Sequence, residues 1–338
     1  MSISEAVATL VKGVDLTRAE TEEVMDAVMS GDATPAQIAG FLVALKSKGE
    51  TVDEVAGAAS VMRQKATKIP HNQDLVVDTC GTGGDHSGTF NISTTAALVV
   101  AGAGVPVAKH GNRSITSDCG SADVLEALGV NIEATPEVVG KCVDQVRIGF
   151  MFAPLLHSAM KHAVPVRKEL APTPTVFNML GPLTNPAGSR NQVIGVFSLA
   201  IVEPMAEVLR ELGASHSFVV HGSDGLDEIT TTASTTITEL KAGEITTTEI
   251  RPDQFGIAPA SLHDLKGGST EKNAAITRQV LDGELGPQRD IVLLNAAAAL
   301  VASEAAKDID DGIGIAASAI ANGGAARALE GLREISHG

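Results

Sequence analysis

Four stretches at the start of the chain repeat apolar residues every three or four positions. They are "SISEAVATLVKG", "TRAETEEVMDAVMSG", "TPAQIAGFLVALKSKG" and "TVDEVAGAASVMRQKA". That spacing gathers the apolar side chains on one side of a helix. Thr17, Thr34 and Thr51 stand where N-caps belong, and Gly31 and Gly49 where helices stop. Glu54, three residues after Thr51, completes a capping box. A helical unit this small is marginal alone, so it must pack on the rest of the chain or on a second subunit.

After "KIPHNQD", which reads as a hinge, the pattern changes. β-rich apolar runs alternate with helical ones: "LVVDTCG" then "TTAALVVAGAG", "VPVAKHG" then "SADVLEALG", later "QVIGVF", "EPMAEVLRELG" and "SFVVHG". Strand and helix in alternation with short links predict an α/β domain around a largely parallel sheet. "STTITELKAGEITTTEI" predicts an antiparallel excursion turning at Ala242-Gly243. The tail returns to helix through "TEKNAAITRQVLDG", "RDIVLLNAAAALVASEA" and "DGIGIAASAIANGGAARALEGLREI", and no internal repeat is visible. The expected fold class is therefore α/β, with a small N-terminal helical domain over residues 1–70 and a larger α/β domain over 71–338.

Composition narrows the function. A net charge of -16 repels nucleic acid and anionic membrane, and the absence of Trp and Tyr removes most stacking platforms for single strands. The longest apolar stretch, around Ala96 to Ala108, falls short of the roughly 18 residues that suggest a membrane span. Cys80, Cys119 and Cys142 have no metal-ligand spacing, and the start is too polar for a signal peptide, so a reducing cytoplasm is expected.

Three segments carry candidate chemistry. "CGTGGD", Cys80 to Asp85, follows a strand directly and leads through "NIST" into a helix near Thr94. Bare amides between a strand end and a helix start form an anion site, and glycines let a phosphate approach. A tight structural turn is the plain alternative. The P-loop pattern is absent, and "GIGIAA" follows acidic residues instead of a strand, which removes the dinucleotide reading. One strand later come Lys109, His110 and Arg113, again at the C-terminal edge of the sheet, where ligands of open α/β folds gather. Asp227 and Glu228 follow the strand "SFVV" at that same edge and could hold Mg²⁺ together with substrate phosphates.

In this order the motifs "GTGGD", "NIST", "KHGNRS", "GSADVLEALG", "FNMLGPLTNPA" and "GLDE" resemble the anthranilate phosphoribosyltransferase family, over essentially the whole chain. The resemblance implies the two-domain fold of nucleoside phosphorylases and phosphoribosyltransferases, with the site in the cleft and a homodimer formed through the helical domain. The implied reaction joins the amino group of anthranilate to C1 of 5-phosphoribosyl 1-diphosphate and releases pyrophosphate, with two Mg²⁺ per site. It assigns the phosphoribosyl donor to Gly81, Thr82, Gly83, Gly84, Asp85, Thr89, Asn91, Ser93, Thr94, Lys109 and Ser121. It assigns anthranilate to Gly81, Asn112, Arg167, Pro154, His157, His110 and Gly181, and metal to Ser93, Asp227 and Glu228. No catalytic residue is assigned, His110 being the one candidate. Two departures stand out: His86 where the family has a glycine, and "RKELAPTPTVFN", with Ala171 for another glycine and one residue more. The competing expectations are a pyrimidine-type nucleoside phosphorylase and a nucleic-acid-binding relative of the same fold. The second calls for a basic stripe, which the chain lacks.

Overall fold

The computed structural model describes residues 1–114 and 118–338. It opens with helices α1 (Ile3–Leu10), α2 (Arg18–Ser30), α3 (Pro35–Lys48) and α4 (Val52–Lys65). Each begins with a full capping box: Ser2 with Glu5, Thr17 with Glu20, Thr34 with Gln37, Thr51 with Glu54. Hydroxyl and carboxylate or amide satisfy two orphan amides reciprocally, which is why these short helices start where the expected caps stand. Gly31 and Gly49 end α2 and α3 at φ of 85° and 95°.

Among the described residues one seven-stranded sheet runs β3-β2-β1-β4-β5-β6-β7. Its strands are β1 (Val77–Gly81), β2 (Val107–Gly111), β3 (Ile148–Phe152), β4 (Asn191–Gly195), β5 (His216–Gly222), β6 (Thr235–Lys241) and β7 (Glu244–Ile250). The first five are parallel, while β6 and β7 are antiparallel and turn at Ala242-Gly243 as expected. The chain winds outward from β1 to β3, then restarts at β4 on the other side of β1. The order reverses between β1 and β4, and a crevice opens there beyond the strand ends.

Between the strands lie α5 (Ile92–Gly102), α6 (Ser121–Ala127), α7 (Pro136–Val146), α8 (Ala153–Leu156), α9 (Val164–Leu170), α10 (Phe177–Leu180) and α11 (Val202–Glu211). The tail forms α12 (Thr270–Leu281), α13 (Pro287–Ala302), α14 (Ile309–Ala321) and α15 (Gly324–Ser336). Successive strand residues face opposite layers. Val193, Phe218 and Val220 pack with α5 and the C-terminal helices, while Ile194, Val219 and Leu240 pack with α11 and the N-terminal helices. The helical unit thus buries its apolar stripe on the chain itself, together with Val166, Phe177 and Leu180 of α9 and α10. No described helix is long and apolar enough to cross a membrane.

The structure adds elements that periodicity did not reveal. β3, "IGFMF", is buried throughout, and an apolar run of five cannot be told from helix by alternation. α8 and α10 have four residues each, too few to show a period. Helix α5 begins at Ile92 with Asn91 as its cap position, two residues before the expected Thr94.

A half-buried cation helps join the two halves. Arg63 of α4 donates from Nε to the carbonyl of Leu183 at 2.6 Å and from Nη1 to that of Leu212 at 3.1 Å. Burial pushes its guanidinium down to about 10, and among the described residues no carboxylate pairs with it. Arg63→Met leaves two carbonyls without their donor and should cost about 1–3 kcal/mol. Urea midpoints of the two proteins measure this, and equal midpoints would mean the contact contributes nothing.

Candidate active site

The crevice is floored by two glycines. Gly81 ends β1, Gly195 ends β4, and the two are register partners at the reversal point. A Cβ on Gly195 would lie 1.5 Å from the carbonyl oxygen of Asp227, and one on Gly81 would lie 2.5 Å from Asp227 Oδ2. Only bare backbone lets the "GLDE" turn lie this low across the strand ends. From there Asp227 Oδ2 accepts from the amide of Gly83 at 2.9 Å, and Glu228 Oε1 from the amide of Ser93 at 3.1 Å. The carboxylates therefore sit on the glycine loop and on the first turn of α5. Gly83 and Gly84 hold φ of 63° and 84°, which turns consecutive amides toward one side.

Burial, with Asp85 nearby, pushes the Asp227 carboxyl up to about 7; burial, with Asp227 nearby, pushes Glu228 up to about 8. Both shifts come from partial burial and from like charges crowding together. A divalent cation would offset the crowding of like charge, and hard carboxylate oxygens suit Mg²⁺. Asp227 and Glu228 therefore offer the oxygen chemistry of the metal expected from the sequence, while Ser93 meets them through its backbone amide.

Lys109 is placed differently from a surface phosphate ligand. It is 2% exposed, donates from Nζ to the Thr79 carbonyl, and faces Asp78 and Glu228 from behind the loop. Arg113 is occupied by Asp123 and Glu126, at 2.9 and 2.8 Å. Asn91 is held by Asn273 at 3.0 Å and donates to the Cys119 carbonyl at 3.1 Å, while Thr89 lies 3.2 Å from the Ser87 hydroxyl. Ser121 exchanges hydrogen bonds with the backbone of Asn112, at 3.2 and 3.3 Å. The amide of Ser87 donates to Asp85 at 3.4 Å, Thr82 carries the link to β4 by accepting from Phe197 N at 3.1 Å, and Thr94 is buried in α5.

Of the expected acceptor residues, His110, His157 and Gly181 are brought together. His157 Nε2 lies 3.2 Å from His110 Nε2, and His110 Nδ1 lies 3.2 Å from the Gly181 carbonyl. The carbonyl can only accept, so His110 carries its proton on Nδ1, and its Nε2 lone pair takes the proton of His157. Burial, then His157, pushes His110 down to about 3; burial, then Lys68, pushes His157 down to about 4. His110 is thus a neutral imidazole with both ring nitrogens engaged. Arg167 stands over the Phe177 ring at 5.1 Å, half-buried and without a protein carboxylate among the described residues. Pro154 is exposed in the first turn of α8.

Sequence reasoning missed Gly195, Asp78 and Asn185. Asn185 Nδ2 donates to Asp78 at 2.7 Å and to the Ala108 carbonyl at 2.9 Å, pinning the "TNPA" turn behind the site. The acid within "LVVDTCG" was the visible signal for Asp78, since a carboxylate in a buried strand needs dedicated partners.

A helical bundle packed on an α/β sheet, with an anion loop and two carboxylates at the reversal point, is the layout of a two-domain glycosyl transferase. Residues 4–66 match the helical bundle domain of the glycosyl transferase family, and residues 73–326 match its a/b domain. Over 326 residues the chain is 55% identical to the anthranilate phosphoribosyltransferase of Symbiobacterium thermophilum, covering 96% of this chain and 95% of that one. The crystal structure of anthranilate phosphoribosyltransferase from Thermus thermophilus matches with a TM-score of 0.93 and 43% identity, over 98% of this chain and 99% of that one. The Saccharomyces cerevisiae enzyme in complex with PRPP and Mg matches at 0.90 and 27% identity, over 99% and 98%. The chain belongs to the anthranilate phosphoribosyltransferase family.

The histidine pair makes stability depend on pH. Unfolded histidine titrates near 6.5, whereas these two bind protons in the fold only at about 3 and about 4. Between those values the unfolded chain holds more protons, so stability falls as pH drops from about 6.5 toward 4. Each histidine contributes up to about 1.4 kcal/mol per pH unit. His157→Gln should flatten this acid limb in denaturation midpoints taken from pH 7 to pH 4.5. An unchanged slope would show that the pair is protonated in the fold.

Proposed function

We propose that this protein transfers the 5-phosphoribosyl group of 5-phosphoribosyl 1-diphosphate to the amino group of anthranilate, giving N-(5-phosphoribosyl)anthranilate and pyrophosphate for tryptophan biosynthesis. The observation that carries the reading is the docking of Asp227 and Glu228 on the amides of Gly83 and Ser93. It joins a divalent-cation site to an anion loop at the sheet's reversal point. A nucleoside phosphorylase, whose second substrate is phosphate, gives no such reason for paired metal carboxylates.

In this reading residues 71–338 bind the donor and residues 1–70 provide the dimer contact and one wall of the cleft. Gly81 to Asp85, Thr89, Asn91, Ser93 and Thr94 hold the diphosphate and ribose, and Ser121 shapes the adjoining loop. Lys109 acts from beneath, its charge offsetting Asp78 and Glu228 so that anionic substrate is tolerated at their edge. Ser93, Asp227 and Glu228 hold Mg²⁺, two ions per site, whose charge offsets that of the departing diphosphate.

The acceptor lies on the other side of C1. Arg167 grips the anthranilate carboxylate, with Asn112, Pro154, His157, His110 and Gly181 around the ring. A two-pronged guanidinium–carboxylate contact aims the ortho amine, so the protein's contribution is positioning. The C1–O bond to diphosphate breaks with its electron pair on the leaving oxygen, the amine nitrogen bonds to C1, and the nitrogen then loses its proton. An aryl amine is a weak base, so this late proton loss needs no strong general base, in keeping with the neutral state of His110. Cytoplasmic placement belongs to the same reading, since Cys80 and Cys142 carry free thiols.

The dimer rests on an apolar surface. Val11, Val14 and Val43 are 72%, 52% and 43% exposed on and beside α1 and α3, around a groove lined by Val7, Leu10, Gly40 and Ala44. Such a patch marks an interface. Sedimentation should give twice the 34.6 kDa chain mass at micromolar concentration, and Val11→Asp with Val43→Asp should return it to the monomer. A wild-type monomer would reject the face.

The function itself is tested by supplying both substrates and following loss of anthranilate fluorescence. Arg167→Ala should raise KM for anthranilate by at least tenfold and leave that for the donor nearly unchanged; removing one partner of a desolvated charge pair costs about 2–5 kcal/mol. Uridine or thymidine with phosphate should not turn over. Nucleoside cleavage without anthranilate consumption would overturn the assignment.

A further inference from the structure

Helix α13 is buried along most of its length, and its centre reads "LLNAAAAL". Asn295, 3% exposed, interrupts that apolar run. An amide in such a place is costly unless its donors and acceptor are met. Here they are met by one neighbour almost entirely. Oδ1 accepts from the amide of Ile229 at 2.9 Å, and Nδ2 donates to the Ile229 carbonyl at 2.8 Å, with a further bond to the Ile291 carbonyl at 2.9 Å. The side chain serves both backbone groups of a single residue, as a paired strand would. That residue directly follows Glu228.

The turn before it is fixed from the other side. Asp224 accepts from the Leu226 amide at 3.2 Å, from Thr230 Oγ1 at 2.7 Å and from Thr232 Oγ1. Gly81 and Gly195 set the floor. Two crowded carboxylates repel and would splay if the chain between these supports could slide. Asn295 removes the remaining freedom by clamping the peptide on the far side of Glu228.

We infer that Asn295 is a positioning residue for the metal-binding carboxylates, holding the main chain at Ile229 so that Asp227 and Glu228 both face the diphosphate loop. The inference rests on the proposed metal role of that pair. Outer-shell partners of metal ligands are typically worth 10–100-fold in affinity.

The test uses the full chain with saturating inorganic pyrophosphate and reads the Mg²⁺ concentration giving half of the maximal rise in Tm. Asn295→Ala should move that midpoint up about 10–100-fold, and Glu228→Gln should move it at least as far. A residue that merely fills the core would lower the metal-free Tm and leave the Mg²⁺ midpoint in place, which overturns the inference. If Asn295→Ala does not fold, Asn295→Ser keeps one hydrogen-bonding group and must show the same shift in part; an unmoved midpoint there also overturns it. Should Glu228→Gln leave the midpoint unmoved as well, the metal reading fails and takes the role of Asn295 with it. A shift in Glu228→Gln alone sinks only Asn295.

Discussion

An ammonium group buried beside a carboxylate at the sheet's C-terminal edge sets the terms for everything built there. Lys109 and Asp78 are almost without access to water, on neighbouring strands β2 and β1. Burial pushes the Asp78 carboxyl up and the Lys109 ammonium down, and each partly holds the other in place. Such a pair is a poor source of stability, because desolvation consumes much of the attraction. Its value lies in geometry. Asp78 accepts from the His110 amide at 3.1 Å and from Asn185 at 2.7 Å, while Asn185 Oδ1 takes the Ala187 amide at 2.9 Å. One carboxylate therefore fixes where the "KHGN" and "TNPA" turns leave the sheet, and the lysine that keeps it tolerable is the residue between those turns and the glycine loop.

The charge account at this edge explains an oddity of the sequence, a phosphate loop with no cation in it. Lys109 is held behind the loop by the Thr79 carbonyl, within the field of Asp78 and Glu228, and Arg113 is engaged by Asp123 and Glu126. Asp85, Asp227 and Glu228 remain at the mouth, and burial and mutual repulsion push the last two up to about 7 and about 8 despite the amides of Gly83 and Ser93 and the charge of Lys109. A site arranged this way is poor for a bare anion and good for an anion accompanied by divalent metal. The net charge of -16 is the same preference written over the whole surface.

Much of this was legible because the signals were local. A capping box needs one hydroxyl and a carboxylate or amide three residues on, so Thr17, Thr34 and Thr51 announced α2 to α4. Alternation of strand and helix announced the parallel sheet, and glycines after a strand announced the anion loop. What stayed hidden depended on contacts between residues far apart in the chain. Gly195 looks like any glycine until the Asp227 carbonyl is seen 1.5 Å from where its Cβ would stand. Asn295 is one polar letter in an alanine-rich helix until its partner, 66 residues away, is found. β3 carries no alternation because both of its faces are covered. The histidines gave their positions but not their state, since "KHGN" looks like a base until Gly181 and His157 are seen to occupy both ring nitrogens of His110.

In the proposed reading the two ends of the cleft are opposite in electrostatic character, and the order of substrates along it follows from that. The donor end presents carboxylates and backbone amides, which receive phosphate only together with metal. The acceptor end presents neutral imidazoles and a half-buried guanidinium whose ring contact with Phe177 leaves its charge unpaired by any protein carboxylate among the described residues. An aromatic carboxylate placed at the donor end would meet Asp85, Asp227 and Glu228 without a metal-binding diphosphate of its own. A metal–diphosphate complex at the acceptor end would find, among the described residues assigned there, a guanidinium but no carboxylate for its cation. On that reading neither substrate gains by exchanging places, so the amine and C1 approach from one direction only. Orientation in this site is a consequence of where charge was left unpaired, which is why a reaction that asks little of any general base can still be strict about geometry.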